Sequence, residues 1–341
     1  MSRKGHSDTV NSDIVVSLSK VSKTFKQRQW AENIINAVKT IFRPVVNEIT
    51  ALNDISLDIC KGEIVAYAGP NGSGKSTTIK LLSGMLAPDS GKVSVLGFNP
   101  IKERIKYVGK IGVIYGHRTE LWWDQPVSAS FEWKKTVWGI PDIQYKRNKD
   151  FVVELLDIKN IMNVQARVLS LGQRMRADFG MMLLHEPEIL FLDEPTLGLD
   201  VETKKGVIEF LKQINQEKKT TIMITSHNMS ELEELSSRLV LINKGSLFFD
   251  GNFPEFRKQY GNFRKLKLVT DSVNKIDLVG AIFMRTSGYG VHEYSYDSNQ
   301  FQIMDILGQL KESVNIIDVE TNFVDIEDIF IDVYRKMKKH N

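Results

Sequence analysis

A glycine-rich loop at residues 69–77 constrains the fold of this chain more than any other part of its sequence. The loop consists of Gly69, Pro70, Asn71, Gly72, Ser73, Gly74, Lys75, Ser76 and Thr77. Glycines in such a loop let successive backbone N–H groups converge on one anion, and the lysine adds positive charge beside the terminal phosphates. The hydroxyl that follows the lysine is placed to ligate Mg²⁺. The segment therefore predicts a nucleotide-phosphate site in which Ser76 is a metal ligand.

The residues on both sides of the loop favour the same interpretation. Residues 64–68 form an apolar, strand-like run, and residues 77–82 suit a helix. The N-terminus of such a helix carries partial positive charge, which attracts phosphate. A surface turn rich in Gly and Ser is the alternative, but it requires neither the full spacing nor the flanking strand and helix.

The composition argues against several other classes of protein. With 341 residues, the chain is long enough for two domains. Its net charge of +3, with both signs mixed, argues against a dedicated nucleic-acid-binding protein. Cys60 is the single cysteine, so no internal disulfide can form, and we expect a reducing compartment and a structural thiol. No signal peptide is visible, and no run of about 18 apolar residues predicts a bilayer span.

Strand-like and helical patterns alternate along residues 14–251. Buried apolar strands separated by helices predict an α/β fold, in which a parallel sheet is covered by helices on both faces. Alternating residues near the start of the chain add an antiparallel β portion, and residues 118–186 form a helical subdomain. Residues 239–250 are expected to form a hairpin that turns at 243–245.

The pattern changes from about residue 255, which predicts a smaller α+β domain over residues 255–341. The expected elements are a strand at 265–270, a helix at 278–285, a hairpin of 292–296 with 301–304, a helix at 306–311 and a strand at 316–320. That order corresponds to a split βαβ unit. A final helix is expected beyond it.

One further segment has helical periodicity but no assigned role. Its apolar residues recur at helical spacing and are Trp30, Ile34, Ile35, Val38, Ile41 and Phe42. They predict an amphipathic helix at 30–43 that ends at Pro44. Such a helix can lie on the core of its own domain, or against a membrane surface or a membrane partner.

A second chemical element follows the apolar run 189–192. Asp193 and Glu194 come directly after it, at the carboxyl end of a predicted buried strand, where ligands of parallel sheets bind. Phosphoryl transfer needs a metal to neutralise developing charge and a base to orient the nucleophile. We therefore expect Asp193 to hold Mg²⁺ and Glu194 to polarise the attacking water.

A third element is the segment 169–173, which precedes a helical run at 174–184. Ser170 is a good N-cap, and Gly172 lets a ligand approach the backbone. A helix start of this kind is a second candidate anion site. Taken alone, the segment indicates a capped helix and no more.

Together these elements resemble the nucleotide-binding subunit of an ABC transporter. The matching segments occur in family order and are 69–77, 169–173, 189–195, 197–200 and 226–227. The resemblance covers about residues 14–251. It implies an ATPase that uses ATP and Mg²⁺, with two cassettes arranged head to tail.

The resemblance also implies roles for individual residues. Ser170, Gly172 and Gln173 match the signature that grips the γ-phosphate bound by the other subunit. Asp200 matches the loop that communicates across the dimer. His227 matches the switch histidine, which contacts the γ-phosphate and the water held by Glu194.

The fit is incomplete at three positions. Phe25 matches the aromatic position that stacks on adenine, where the family more often has Tyr; core packing is the alternative. His117 stands where the family usually has a Gln that reaches the metal. A neutral imidazole can ligate a metal but titrates near neutral pH, so the role of His117 as a ligand is an open hypothesis. Leu171 replaces the commoner Gly of the signature, and its side chain can point away at little cost.

Finer similarity, including Trp122 and Trp123, is to a bacterial export-type subset with an extra C-terminal domain. It implies a separately encoded transmembrane permease, a peripheral position on the cytoplasmic face of the membrane, and a partner cassette that is either a second copy or a paralogue. The two tryptophans are expected at the permease contact or as core anchors. One rival is a soluble ABC-type ATPase of translation or repair. Another is a polysaccharide-exporter ATPase whose C-terminal domain binds cargo.

Overall fold

The computed structural model divides the chain into two compact units, with the boundary between Asp250 and Gly251. The structure describes residues 13–28, 46–116, 118–261, 263–272, 274–310, 314–323 and 325–339. The predicted helix at 30–43 and the candidate ligand His117 therefore lie outside the described residues. Among the described residues, no helix combines the length and the apolar character needed to cross a membrane.

The N-terminal unit contains two sheets. Their strands are β1 (Ile14–Arg28), β2 (Val46–Cys60), β3 (Ile64–Ala68), β4 (Ser90–Val95), β5 (Ile111–Tyr115), β6 (Ile189–Asp193), β7 (Thr221–Thr225), β8 (Arg238–Asn243) and β9 (Ser246–Asn252), the last of which crosses the unit boundary. An antiparallel sheet has the order β2-β1-β4, and a larger sheet has the order β5-β6-β7-β3-β8-β9. Strands β5, β6, β7, β3 and β8 pair in parallel. Their carboxyl ends therefore meet at one edge of the sheet.

Helices connect these strands and pack on them. They are α1 (Lys75–Leu82), α2 (Arg104–Val108), α3 (Val127–Trp138), α4 (Asp142–Leu155), α5 (Leu171–Leu183), α6 (Val201–Lys218) and α7 (Met229–Leu235). Helix α1 packs against β4 and β6, α7 packs against β3, and α5 packs against β5. The α/β fold class expected from the alternating pattern is confirmed.

The core of the N-terminal unit joins the two sheets. Fully buried side chains from both sheets form one cluster with α1, and they include Leu18, Ile55, Tyr67, Ile79 and Phe191. Apolar burial of this extent stabilises the unit by roughly 25 cal/mol for each Å² removed from water. The phosphate loop thus lies between a buried strand and a helix that is itself part of the core.

Helices α3, α4 and α5 follow one another in the predicted helical subdomain. Gly139 ends α3 with a φ of +61°, a left-handed conformation that glycine adopts without steric cost. Pro141 then precedes α4, whose interior it cannot join. The break between α3 and α4 therefore falls at residues 139–141.

The C-terminal unit is an antiparallel sheet with three helices among its described residues. Its elements are α8 (Phe253–Tyr260), β10 (Phe263–Thr270), β11 (Ala281–Thr286), β12 (Val291–Asp297), α9 (Ile303–Gly308), β13 (Ile316–Phe323) and α10 (Ile326–Lys339). The strand order is β11-β12-β10-β13. One sheet face is buried in a cluster that includes Leu266, Leu268, Tyr294 and Ile306.

Two expectations for this unit are wrong. The helix predicted at 278–285 is a turn followed by strand β11, because Gly280 has a φ of +86° and Phe283 packs its ring 5.6 Å from Tyr294 on β12. The hairpin predicted between 292–296 and 301–304 is also wrong, because β12 pairs with β11 and β10 instead. The split βαβ order therefore lacks one of its two helices.

Candidate nucleotide site

The phosphate loop begins directly after β3 and continues into α1. Gly69 has no space for a side chain, since a Cβ there would lie 2.3 Å from the carbonyl oxygen of Ile242. Gly74 has a φ of +112°, and a Cβ there would lie 2.6 Å from the carbonyl oxygen of Ala51. Gly69 thus meets a steric requirement of the loop, and Gly74 meets a steric and a conformational one.

Two features of the loop fit a phosphate ligand. Helix α1 has no side-chain cap at its N-terminus, so its first N–H groups are not taken by a capping side chain. The Oγ atom of Ser73 is buried and has no hydrogen-bond partner among the described residues. A buried hydroxyl without a partner is costly, which an incoming phosphate oxygen would relieve.

Lys75 is buried at the start of α1, with 5% of its surface exposed. Its Nζ donates to the carbonyl oxygens of Gly69 at 2.7 Å and Pro70 at 3.3 Å. Burial lowers the pKa of Lys75, while the nearby carboxylates Glu194 and Asp193 act to raise it. Both carboxylates act electrostatically on Lys75. The phosphate loop and the acidic pair that follows β6 therefore belong to one site.

Asp193 and Glu194 stand at the carboxyl end of β6, as the sequence predicts. Asp193 is buried, and its Oδ1 accepts a hydrogen bond from the Thr225 hydroxyl at 2.8 Å. Glu194 leaves the strand with a φ of +53°, which is unusual for a residue with a side chain and costs on the order of 1 kcal/mol. The chain therefore turns sharply at Glu194, directly after Asp193.

His227 follows β7 and contacts Glu194 directly. Its Nε2 lies 2.7 Å from Glu194 Oε1. The Glu194 side chain is 18% exposed and the His227 side chain is 42% exposed. The two predicted catalytic groups are therefore adjacent at a partly open edge.

The donor set fits a magnesium nucleotide. A hydroxyl from Ser76, a carboxylate from Asp193 and phosphate oxygens are hard oxygen ligands, which Mg²⁺ prefers together with retained waters. No group of three or more His, Cys, Asp or Glu side chains arranged to hold a metal occurs among the described residues. With its hard oxygen donors, the site suits a metal that phosphate oxygens also ligate.

The segment 169–173 is confirmed as a helix start. Ser170 Oγ accepts from the Gln173 backbone N–H at 3.2 Å, and Gln173 Oε1 accepts from the Ser170 backbone N–H at 3.0 Å. This reciprocal pair is a capping box. The hydrogen bonds of both residues thus remain within the start of α5.

Gly172 has a neighbour that the sequence did not indicate. A Cβ there would lie 2.9 Å from the Thr203 side chain on α6. Thr203 in turn binds Asp200, which accepts from its backbone N–H at 2.9 Å and from its hydroxyl at 2.7 Å. Gly172 therefore brings the start of α5 close to the Asp200 loop, and what approaches its backbone in this structure is a side chain of the same chain.

Phe25 lies on β1 with 37% of its surface exposed, next to Ile49 on β2. Lys23 Nζ is 5.8 Å from the centre of its ring. The alternative expectation of core packing is not favoured by this exposure.

Sequence reasoning missed two residues that support the site, Thr225 and Glu231, and also the buried carboxyl of Asp178. Thr225 binds Asp193 and Glu194. Glu231 on α7 accepts from Thr196 at 2.6 Å and from Ser226 at 3.3 Å, so it ties the loop after β6 to the loop after β7. Asp178 on α5 accepts from the Thr119 hydroxyl at 2.9 Å and from the Glu120 N–H at 3.0 Å. The position of Thr225 at the end of a buried strand next to Ser226 and His227 was the available signal.

Comparison with known proteins identifies the family of the chain. The ABC transporter family model matches residues 52–197. The ATP-binding protein NatA of Bacillus subtilis is 30% identical over 203 residues, which are 60% of this chain and 82% of NatA. The linearmycin resistance ATP-binding protein LnrL of the same organism is 32% identical over 234 residues, which are 67% of this chain and 73% of LnrL.

A solved structure shows the same fold. It is a dimeric ATP-binding cassette in a post-hydrolysis state, bound to ADP and Pi. The TM-score is 0.59 at 23% identity, with 70% of this chain and 98% of that chain covered. The chain belongs to the ATP-binding proteins of ABC transporters, a family that hydrolyses ATP.

Proposed function

We propose that this chain powers export through a separately encoded transmembrane permease, as a peripheral subunit on the cytoplasmic face of the membrane. The observation that carries the proposed permease contact is an exposed aromatic patch within the helical subdomain of the N-terminal unit. We call it the tryptophan surface, and it consists of Trp122, Trp123 and Trp133.

The tryptophan surface has the character of a contact site. Trp122 is 43% exposed, Trp123 is 50% exposed and Trp133 is 37% exposed. The rings of Trp122 and Trp133 lie 5.7 Å apart. Clustered exposed aromatic side chains mark protein interaction sites, because they bury a large area at little conformational cost. The exposure argues against the alternative that Trp122 and Trp123 are core anchors.

The same surface is linked to the start of α5. The guanidinium of Arg174 lies 4.5 Å from the centre of the Trp123 ring. Arg174 stands on the first turns of the helix that Ser170 caps. A permease that moves Trp123 would therefore also move the signature segment.

We also propose roles for the residues of the nucleotide site, based on the family resemblance and on the geometry of the site. The loop 69–77 and Lys75 hold the phosphates, and Ser76 with Asp193 holds Mg²⁺, which neutralises charge on the transferring phosphoryl group when bound. Glu194 orients and polarises the attacking water. The 2.7 Å contact supports His227 as the residue that holds Glu194 in place.

The start of α5 supports a second cassette as part of the site. Ser170 Oγ accepts from Gln173, so its O–H remains able to donate to a phosphate. In a head-to-tail dimer, Ser170 and Gln173 would contact the γ-phosphate held by the partner's loop, and Phe25 would stack on adenine. The partner is a second copy of this chain or a paralogue, and the closed state is stabilised by charge-assisted hydrogen bonds from both sides.

The test is ATP hydrolysis by the purified chain alone and in a complex with the polytopic membrane protein that co-purifies with it, reconstituted in lipid vesicles. We expect the membrane protein to stimulate hydrolysis. The double variant Trp122→Ala, Trp123→Ala should keep the basal rate and lose the stimulation. Ile143→Ala, which removes an 88% exposed side chain from α4, is the matched control and should keep both.

Two results would contradict the proposal. One is a chain that no membrane protein stimulates and that co-purifies with ribosomes or DNA, as a soluble ABC-type ATPase would. The other is a complex whose ATP-dependent transport carries its substrate into cells rather than out of them.

A further inference from the structure

Thr225 is the last residue of β7 and lies opposite Asp193, the last residue of β6, in the parallel register. Its side chain is fully buried, with 0% of its surface exposed. A hydroxyl at such a position must find hydrogen-bond partners, because burial without them costs free energy. The partners it finds are the two acidic residues of the site.

The Thr225 hydroxyl bridges these residues. It donates to Asp193 Oδ1 at 2.8 Å and accepts from the Glu194 backbone N–H at 3.0 Å. The same N–H also lies 3.1 Å from the Thr225 carbonyl oxygen. One side chain thus uses its single donor on Asp193 and one of its acceptor positions on Glu194.

Both hydrogen bonds of the Thr225 hydroxyl hold groups whose position matters for the proposed reaction. The bond to Asp193 occupies one carboxylate oxygen and leaves the second as a ligand. The bond to Glu194 holds the peptide N–H of a residue that has a φ of +53°. A strained conformation persists only where surrounding contacts determine it.

We propose that Thr225 is a positioning residue for ATP hydrolysis, whose hydroxyl fixes the proposed metal carboxylate and the proposed base relative to each other. This inference rests on the proposed roles of Asp193 and Glu194 and is independent of export and of the permease. Valine has the shape of threonine but can make neither hydrogen bond, whereas serine can make both.

The chain offers a matched control on the same strand. Thr221 begins β7, is 1% exposed, and accepts a hydrogen bond from the Gly62 N–H at 2.9 Å through its hydroxyl. Thr221→Val therefore removes a buried hydroxyl from the same strand at the end remote from Asp193. Any effect of general destabilisation of β7 should appear in Thr221→Val as well as in Thr225→Val.

The experiment compares Thr225→Val, Thr225→Ser and Thr221→Val in the full chain. Misplacing a catalytic group by about 1 Å can cost about 100-fold in rate, so we expect kcat of Thr225→Val to fall about 10- to 100-fold, with KM for ATP changed less than about 3-fold. Thr225→Ser should recover most of kcat, and Thr221→Val should retain it.

A binding measurement gives a readout that does not depend on turnover. The increase in melting temperature that Mg²⁺ adds to the ATP-bound protein should be smaller in Thr225→Val than in Thr221→Val. The increase given by ATP with EDTA should be equal in the two, since the phosphate loop is unchanged.

Three outcomes would overturn the inference. They are a kcat for Thr225→Val within about 2-fold of wild type, a loss no larger than that of Thr221→Val, or no recovery in Thr225→Ser. Glu194→Gln is measured in parallel. If it retains activity, the proposed roles of the carboxylates fail; if it is inactive while Thr225→Val is active, only the positioning role fails.

Discussion

Two regions of this protein carry basic side chains near carboxylates, and they differ in what surrounds the charges. At the nucleotide edge, Lys75 and Asp193 are buried, and Lys75 donates to backbone carbonyls of its own loop. On the outer face of the C-terminal sheet, Lys267 pairs with Glu320 at 3.5 Å and Arg285 pairs with Glu293 at 2.9 Å, all largely exposed except the half-buried Glu293. Burial and convergence thus distinguish the candidate site from a solvated, paired surface.

The pKa shifts follow the same division. Burial is the largest cause at Lys75 and lowers its pKa. At Arg285 the largest cause is the hydrogen bond to Glu293, which raises its pKa, and the pKa of Glu293 is lowered in return. Exposed pairs of this kind contribute little to stability, because water and salt screen them.

The largest expected difference between the two regions is the effect of a carboxylate substitution on kcat for ATP hydrolysis. Glu194→Gln removes the proposed base and should lower kcat by about 10²- to 10³-fold, as does the loss of one aligned electrostatic group in other enzymes. Binding of ATP should remain. The control is Glu320→Gln, which removes a carboxylate from the C-terminal sheet and should leave kcat unchanged. Wild-type turnover in Glu194→Gln would reject its role as base.

The second effect is on the pH dependence of stability. Burial raises the pKa of Asp178 from 3.8 to about 7, although its hydrogen bonds with Thr119 and Glu120 oppose the shift. Because the folded-state pKa is the higher one, the contribution of Asp178 is full below about pH 4 and is lost as the pH rises through about 7. The loss is on the order of 4 kcal/mol at most, from about 1.4 kcal/mol for each pKa unit.

Asp178→Asn should remove this dependence. Urea unfolding at several pH values between about 4 and 8 measures it, as the difference between wild type and variant in the free energy of unfolding. The variant should gain stability relative to wild type as the pH rises. A difference that is constant with pH would show that Asp178 titrates as an exposed carboxyl does.

A smaller effect is expected at Phe25. Aromatic stacking contributes about 0.5–1.5 kcal/mol, so Phe25→Ala should weaken ATP binding about 2- to 10-fold. Tyr289 in the C-terminal unit is 86% exposed, and Tyr289→Ala is the control that should bind ATP as wild type does. Fluorescence titration with a labelled ATP measures both. Equal affinities in the two variants would assign Phe25 to another role.

The smallest effect is expected on the C-terminal sheet itself. Arg285→Gln breaks a pair in which both groups contact water, so the urea midpoint of unfolding should change no more than the experimental error. ATP hydrolysis should be unchanged as well. A clear loss of either would show that this face acts on the nucleotide unit or binds a ligand that its paired charges do not suggest.

The contrast between the two regions also explains how far sequence reasoning succeeded. Phosphate chemistry requires glycines, a lysine and a hydroxyl at fixed spacing, and a strand end requires Asp193 and Glu194 in succession. These requirements are local, so the loop and the carboxylates could be placed before the fold was known. The capping box of Ser170 and Gln173 is local in the same sense.

The remaining features depend on tertiary packing. Thr225 matters because β6 and β7 pair in a register that sets it opposite Asp193, which no single segment specifies. Phe283 belongs to a strand because it packs against Tyr294, although residues 278–285 have apolar spacing that also suits a helix. The glycine at position 280 is the sequence signal that could have corrected the interpretation, since glycine favours a turn. In the structure its φ is +86°, and a strand follows it.

The central claim is that ATP is clamped between two cassettes, each of which supplies groups the other lacks. The direct test is the molar mass in solution of Glu194→Gln with ATP and Mg²⁺, measured by light scattering, alone and with its membrane partner. We predict a monomer without nucleotide and a dimer with it, and loss of the dimer when Ser170→Ala is added. A variant that stays monomeric with ATP and Mg²⁺, even beside its membrane subunits, would contradict the account.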